Sequence, residues 1–183
     1  MKKIILISGK AQHGKDTLAL HVKQRLEEQG NKVAVDHFAR PIKSILKNYY
    51  NWDGVTKDDY WRGLLQMIGT DNSKVKLNMV NVWCNRICQD IQIIQDDFDY
   101  ILIPDCRFRQ EIHGAIAYYP DDVISLRVHR LNFESSLTEE QKNHVSETDL
   151  DNYNSWDGII YNQSLSSLHD EADRVLTRLG LIK

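Results

Sequence analysis

The chain contains no run approaching the ~20 consecutive apolar residues that a membrane-spanning helix needs. It also has no basic excess, since 23 Lys and Arg stand against 26 Asp and Glu for a net charge of −3. The first absence argues against a membrane protein, and the second against a nucleic-acid polymer or an anionic membrane surface as partner. Met1-Lys2-Lys3 leads into only five apolar or small residues before Gly9, too few for a signal peptide. Cysteine is scarce, and Cys84, Cys88 and Cys106 do not make a disulfide framework. Cys84 and Cys88 lie four apart on an expected helix, but no second Cys or His pair at zinc-like spacing accompanies them, so packing is the expected role. Repeats, low-complexity tracts and linkers are absent. With 183 residues, 42% hydrophobic and 27% charged, the expectation is one globular domain in a reducing, cytoplasmic setting.

What is present declares itself at the start. Ile4-Ile5-Leu6-Ile7-Ser8 is an apolar strand that runs into Gly9-Lys10-Ala11-Gln12-His13-Gly14-Lys15-Asp16-Thr17. The spacing Gly9-x4-Gly14-Lys15, between a strand and a helix start, is that of a P-loop. Successive backbone N–H groups there point inward at a phosphate, Lys15 adds a point charge, and the helix adds its positive dipole end. Asp16 stands where Ser or Thr is usual. Its carboxylate can hold magnesium, face a second substrate, or only complement the helix dipole.

Apolar runs alternate with helical patterns along the chain, which predicts a parallel α/β sheet of about five strands flanked by helices. Strands are expected at 3–8, 33–38, 100–103, 123–129 and 159–161. Helices are expected at 15–29, 41–50, 78–95, 108–117 and 166–179. Trp61, Leu64, Leu65 and Ile68 recur at helical spacing and predict a buried stripe, with Arg62 and Gln66 on the opposite side and Gly69-Thr70 ending the helix. Residues 131–156 are polar and poorly periodic, which suggests a mobile lid.

Two clusters could carry chemistry besides the P-loop, and a few scattered residues are weaker candidates. Ligands of open parallel sheets bind outside the carboxyl ends of the strands. That places Asp105-Cys106-Arg107-Phe108-Arg109-Gln110-Glu111, after the third strand, opposite the P-loop. Asp105 could position a metal or an acceptor, and Arg107 could neutralise a phosphoryl group. Glu111, four residues on, could simply pair with Arg107 at the surface. Arg62, Gln66, Gly69 and Thr70 suit a phosphate plus a base edge, or equally a solvated face. Arg40 and Lys43 flank a proline turn, and Arg127 and Arg130, on opposite faces of the fourth strand, could reach donor phosphates. His144-Val145-Ser146-Glu147 lacks a Gly-x-Ser-x-Gly elbow and is expected to be structural loop.

Taken together, Ser8-Gly9…Gly14-Lys15-Asp16-Thr17, Phe38-Ala39-Arg40-Pro41-Ile42-Lys43, Leu65-Gln66…Gly69-Thr70-Asp71 and Trp83 resemble the phage-type deoxynucleoside monophosphate kinases. Ile103-Pro104-Asp105-Cys106-Arg107…Glu111, Arg130, His144-Val145-Ser146-Glu147 and Asp157-Gly158…Asn162 continue the resemblance nearly end to end. It implies a P-loop kinase fold with a monophosphate-binding helical region at about 40–95 and a lid at about 131–156. It also implies transfer of the ATP γ-phosphoryl group to a deoxynucleoside monophosphate with magnesium, in the host cytoplasm, by a homodimer. Gly9, Lys10, Ala11, Gln12, His13, Gly14, Lys15, Asp16 and Thr17 would hold the donor, with Asp16 at the metal. Lys43, Gly69, Thr70, Trp83, Asp105, Arg107 and Glu111 match acceptor positions; Lys15, Asp16 and Arg107 would be catalytic. Arg62 and Gln66 extend the acceptor site and Arg130 the donor site. Animal-type phosphomevalonate kinase is similar around Gly14-Lys15-Asp16, so a kinase for that acceptor or for dephospho-coenzyme A is the rival. A non-catalytic nucleotide-binding regulator is a third reading, although the guanine-reading Asn-Lys-x-Asp is missing.

Overall fold

The computed structural model describes residues 3–56 and 58–183. Among the described residues five strands form one parallel sheet in the order β2-β3-β1-β4-β5. They are β1 (Lys3–Ser8), β2 (Val33–Val35), β3 (Tyr100–Cys106), β4 (Val123–Arg130) and β5 (Gly158–Asn162). The helices are α1 (Lys15–Glu27), α2 (Arg40–Tyr49), α3 (Asp59–Gln66), α4 (Val82–Ile94), α5 (Arg109–Tyr118), α6 (Glu139–Asn143), α7 (Val145–Thr148) and α8 (Leu165–Arg178). A π-helix, Met67–Lys76, follows α3 directly.

Side chains alternate across a strand, so the continuous apolar run of β1 must be buried on both faces. Ile5 and Ile7 point to one face and pack with Leu18, Val22 and Leu26 of α1 and with Leu168, Ala172 and Leu176 of α8. Ile4 and Leu6 point to the other, against Ile87 and Ile91 of α4 and Ile112 of α5. Cys84, Cys88 and Cys106 are free thiols inside that second cluster.

The expected strands and flanking helices are present, β2 stopping at Val35 short of the expected Phe38, with three further departures. First, β3 does not close at Ile103. Its pairing with β1 steps from Leu6↔Ile103 to Ser8↔Cys106, so β3 carries one extra residue at Pro104-Asp105. A bulge tolerates a proline that lacks a ladder donor, and it re-aims neighbouring side chains. Second, Gly69-Thr70 does not end a helix. The chain continues as a π-helix to Lys76, and Trp61, Leu64, Leu65 and Ile68 are only half-buried. Leu65, Arg62 and Gln66 line one cavity together, because α3 roofs a cleft rather than packing on the core.

Third, the second half of the expected lid is tied down. Leu150 is buried in the second cluster, with Tyr153 and Trp156 packed against it. The preceding part, 131–143, meets the rest through polar contacts: Gln12 Nε2 donates to Ser136 Oγ (2.8 Å) and Gln141 Nε2 to Asp59 Oδ1 (3.0 Å).

Leu150→Ala should therefore behave as a core truncation and cost about 2–5 kcal/mol. Urea denaturation reads this directly. A loss within about 0.5 kcal/mol, as for an exposed loop residue, would mean that the segment is not docked.

Candidate functional site

The phosphate loop is shaped by two glycines and one strained residue. Gly14 is left-handed (φ +97), and a Cβ there would lie 2.7 Å from Asn162 Nδ2; at Gly9 it would lie 2.7 Å from Val128 Cγ1. Gln12 also has positive φ (63°), unusual for a non-glycine residue. Its conformation is held from outside, since its carbonyl accepts from Arg130 Nη1 (3.1 Å) and its amide group contacts Ser136. Asn162 at the end of β5 donates to the His13 carbonyl (3.0 Å).

Lys15 opens α1 and folds back to donate from Nζ to the Lys10 carbonyl (2.8 Å). Burial, reinforced by the Arg107 guanidinium, lowers its pKa to about 8, against the opposing pull of Glu147 and Asp16. Asp16 is exposed on the cavity wall, while Thr17 is exposed and absent from that wall. Gly14 at the helix cap brings no side chain to compete for the first-turn N–H groups, so the loop fits a polyphosphate.

A cavity of about 580 Å³ joins this loop to the far side of the cleft. Lys15 and Asp16 line it together with Lys43, Arg62, Gln66, Gly69, Thr70, Trp83, Asp105, Arg107 and Glu111. Arg130 is elsewhere. It caps the other flank of the phosphate loop, with its guanidinium 4.2 Å from the Phe133 ring centroid. A second cavity of about 450 Å³, lined by Lys10, His13 and Phe133, opens on that flank. Arg127 is buried and donates to Ser8 Oγ (2.9 Å).

Two carboxylates of the third-strand cluster act differently from the simplest expectation. Asp105, aimed by the bulge, accepts from the backbone N–H groups of Phe38 (2.9 Å) and Ala39 (3.0 Å), so both oxygens hold the turn before α2. Glu111 makes no surface pair with the Arg107 side chain. It is buried, accepts from the backbone N–H groups of Arg107 (2.8 Å) and Phe108 (3.1 Å), and takes Lys74 Nζ at 2.9 Å. Burial pushes its carboxyl pKa up, opposed by Lys74 and by the Arg107 N–H.

Lys74 and Glu147 carry site contacts that the sequence did not single out. The Lys74 side chain is 9% exposed and sits 3.4 Å from the centroid of the Phe108 ring. It arrives there because the π-helix continues past Thr70, pinned by Trp83 Nε1, which donates to the Gly69 carbonyl (3.0 Å) and Ser73 Oγ (3.1 Å). Glu147, expected in a structural loop, accepts from the Ala11 N–H of the phosphate loop (2.8 Å) and from Arg107 Nη1. The signal available was its membership in the His144–Glu147 block of the resemblance.

The depressed Lys15 pKa has a defined sign for stability. A lysine whose folded pKa lies below its unfolded value costs stability where it is charged, and the cost fades as pH rises through the folded pKa. Lys15→Met, which keeps the stem and drops the charge, should be more stable than the parent at about pH 7 by more than ~1 kcal/mol. The gap should narrow near pH 9.5. Urea denaturation at the two pH values measures it, and a variant no more stable at the lower pH would overturn the reading.

No family model matches the chain. A phosphomevalonate kinase of Drosophila melanogaster is 29% identical over 136 residues, which cover 70% of this chain and 68% of that protein. A gluconokinase from Sinorhizobium meliloti 1021 superposes with a TM-score of 0.54 at 14% identity, over 97% of this chain and 93% of its own. The Mycobacterium tuberculosis APS kinase in complex with AMPPNP and APS gives 0.51 at 13% identity, over 96% of this chain and 97% of its own. The chain shares the fold of these kinases, a five-stranded parallel sheet flanked by helices, and its likeness to a phosphomevalonate kinase supports phosphotransferase chemistry.

Proposed function

We propose that the chain transfers the γ-phosphoryl group of ATP, with magnesium, to a deoxynucleoside monophosphate. The observation that carries this reading is the shared cleft. Lys15 and Arg107 line it beside the phosphate loop, and so do Lys43, Arg62 and Gln66 and the aromatic side chains of Phe38, Trp83 and Phe108. Cations suit the acceptor's phosphate, an apolar wall suits a flat ring, and the Gln66 amide suits a base edge. Asp16 is a hard oxygen ligand exposed to the same cavity and fits magnesium, which is held by one or two carboxylates and the substrate phosphates.

Bound ATP and its metal would supply the activated phosphoryl group. The chain's own part is positioning and charge stabilisation, which is most of what phosphoryl transfer asks of a protein. The phosphate-loop backbone and Lys15 would grip the donor phosphates. Arg107, at the carboxyl end of β3, would stabilise charge on the group in transfer. Residues 131–143, linked to α3 through Gln141 and Asp59, would keep water from the acceptor's place.

A second reading, with phosphomevalonate as acceptor, is favoured by the Drosophila relative. A coupled ADP-release assay over the deoxynucleoside monophosphates, phosphomevalonate and dephospho-coenzyme A separates the two. Turnover with at least one deoxynucleoside monophosphate is expected. Turnover with phosphomevalonate alone would move the conclusion to the second reading. Tight ATP binding with no acceptor-dependent turnover would make the chain a nucleotide-binding regulator. Arg107→Ala should lower kcat by ~10² or more, and a change confined to KM would make Arg107 a binding residue only.

A further inference from the structure

We propose that Glu147, in the short helix α7, is a positioning residue that holds Arg107 and the phosphate loop in their working arrangement. The inference rests on the phosphotransfer reading above. One carboxylate oxygen of Glu147 accepts from the Ala11 N–H at 2.8 Å, and the other accepts from Arg107 Nη1. The side chain is 8% exposed, against 29% for Arg107. A charge-assisted contact this sheltered differs in kind from a solvated surface pair.

The anchor is itself fixed. Asp149 accepts from the Arg109 N–H (2.7 Å), Leu150 is buried, and Asp151 pairs with Lys10 (2.8 Å). The carboxylate therefore cannot follow Arg107 about; Arg107 is drawn to it. The Ser146 carbonyl adds a second acceptor for Arg107 Nη1 at 3.2 Å. An arginine swings on a long flexible stem, and one held in place before reaction loses less entropy in reaching the reacting group. A phosphate-loop amide and a guanidinium thus share one carboxylate supplied by a distant segment of the chain.

The test is a double-mutant cycle on the full chain with Glu147→Gln, Arg107→Ala and the pair, using an acceptor that the parent turns over. Glu147→Gln should lower kcat by about 10-fold to 100-fold with donor KM within about threefold. In the Arg107→Ala background the further loss should be much smaller than in the parent, because most of the effect runs through Arg107 and only the hold on the Ala11 amide is left to lose. Glu147→Asp, which keeps the charge, should recover part of the loss. Losses that simply add would mean a general structural role and overturn the proposal. So would a fall in donor KM at unchanged kcat, since Glu147 would then be a competitor for the phosphate site. A parent that turns over no acceptor sinks the function reading, yet the anchor is still decided by the Ala11 amide. Its NMR resonance should move, and its hydrogen exchange should quicken, in Glu147→Gln. An unchanged Ala11 amide would overturn the anchor on its own.

Discussion

The parallel pairing of β1 with both β3 and β4 is the constraint on which the site depends. Ser8, the last residue of β1, stands in register with Cys106 on one side and Arg127 on the other. One step beyond Ser8 the phosphate loop begins, and one step beyond Cys106 comes Arg107. Parallel strands end on the same edge of a sheet, so the polar ends of three strands converge there while their apolar bodies are sealed between two helical layers. Pro104-Asp105 adjusts this arrangement by one residue, which turns the Asp105 carboxylate toward the amides of Phe38 and Ala39. The turn into α2 is thereby fastened to the same edge.

Charge at the cleft follows from how its acids are engaged. Lys15, Lys43, Arg62, Lys74 and Arg107 line it along with Asp16, Asp105, Glu111 and Glu147. Asp105 holds backbone amides, Glu111 holds Lys74 and two amides, and Glu147 holds Ala11 and Arg107. A sheltered charge must be hydrogen-bonded, and these three are, Glu111 and Glu147 with an ion pair besides. Asp16, exposed at the start of α1, remains the carboxylate best placed to meet a cation from solvent.

Much of this was legible in the residues, for physical reasons that vary with the element. The P-loop reads because its glycine spacing and strand-helix context are local. The strands read because burial on both faces makes them continuous apolar runs. Lys43, Arg62, Gln66, Gly69, Thr70, Asp105, Arg107 and Glu111 stood out by their residue type and place in the expected elements, and Trp83 only through the resemblance; the structure brings them to one cavity. Lys74 was not legible, because an α-helical period mis-phases a π-helix, and its bond to Glu111 joins residues 37 apart. Glu147 was hidden for a similar reason. Residues 131–156 carry little periodicity, and what fixes 144–151 is a set of contacts with residues far away in sequence, Ala11 being 136 positions distant.

The indole of Trp83 has its one N–H engaged by the Gly69 carbonyl and Ser73 Oγ. Trp nitrogen is a donor only, so nothing polar is left on that ring for a guest in the cleft. What it can offer is an outline: it rewards a molecule for lying flat and is indifferent to the pattern of donors and acceptors along the molecule's rim. Two guests of equal contour are the same to Trp83. Telling them apart falls to polar neighbours such as Gln66, where an unmatched hydrogen bond carries a penalty.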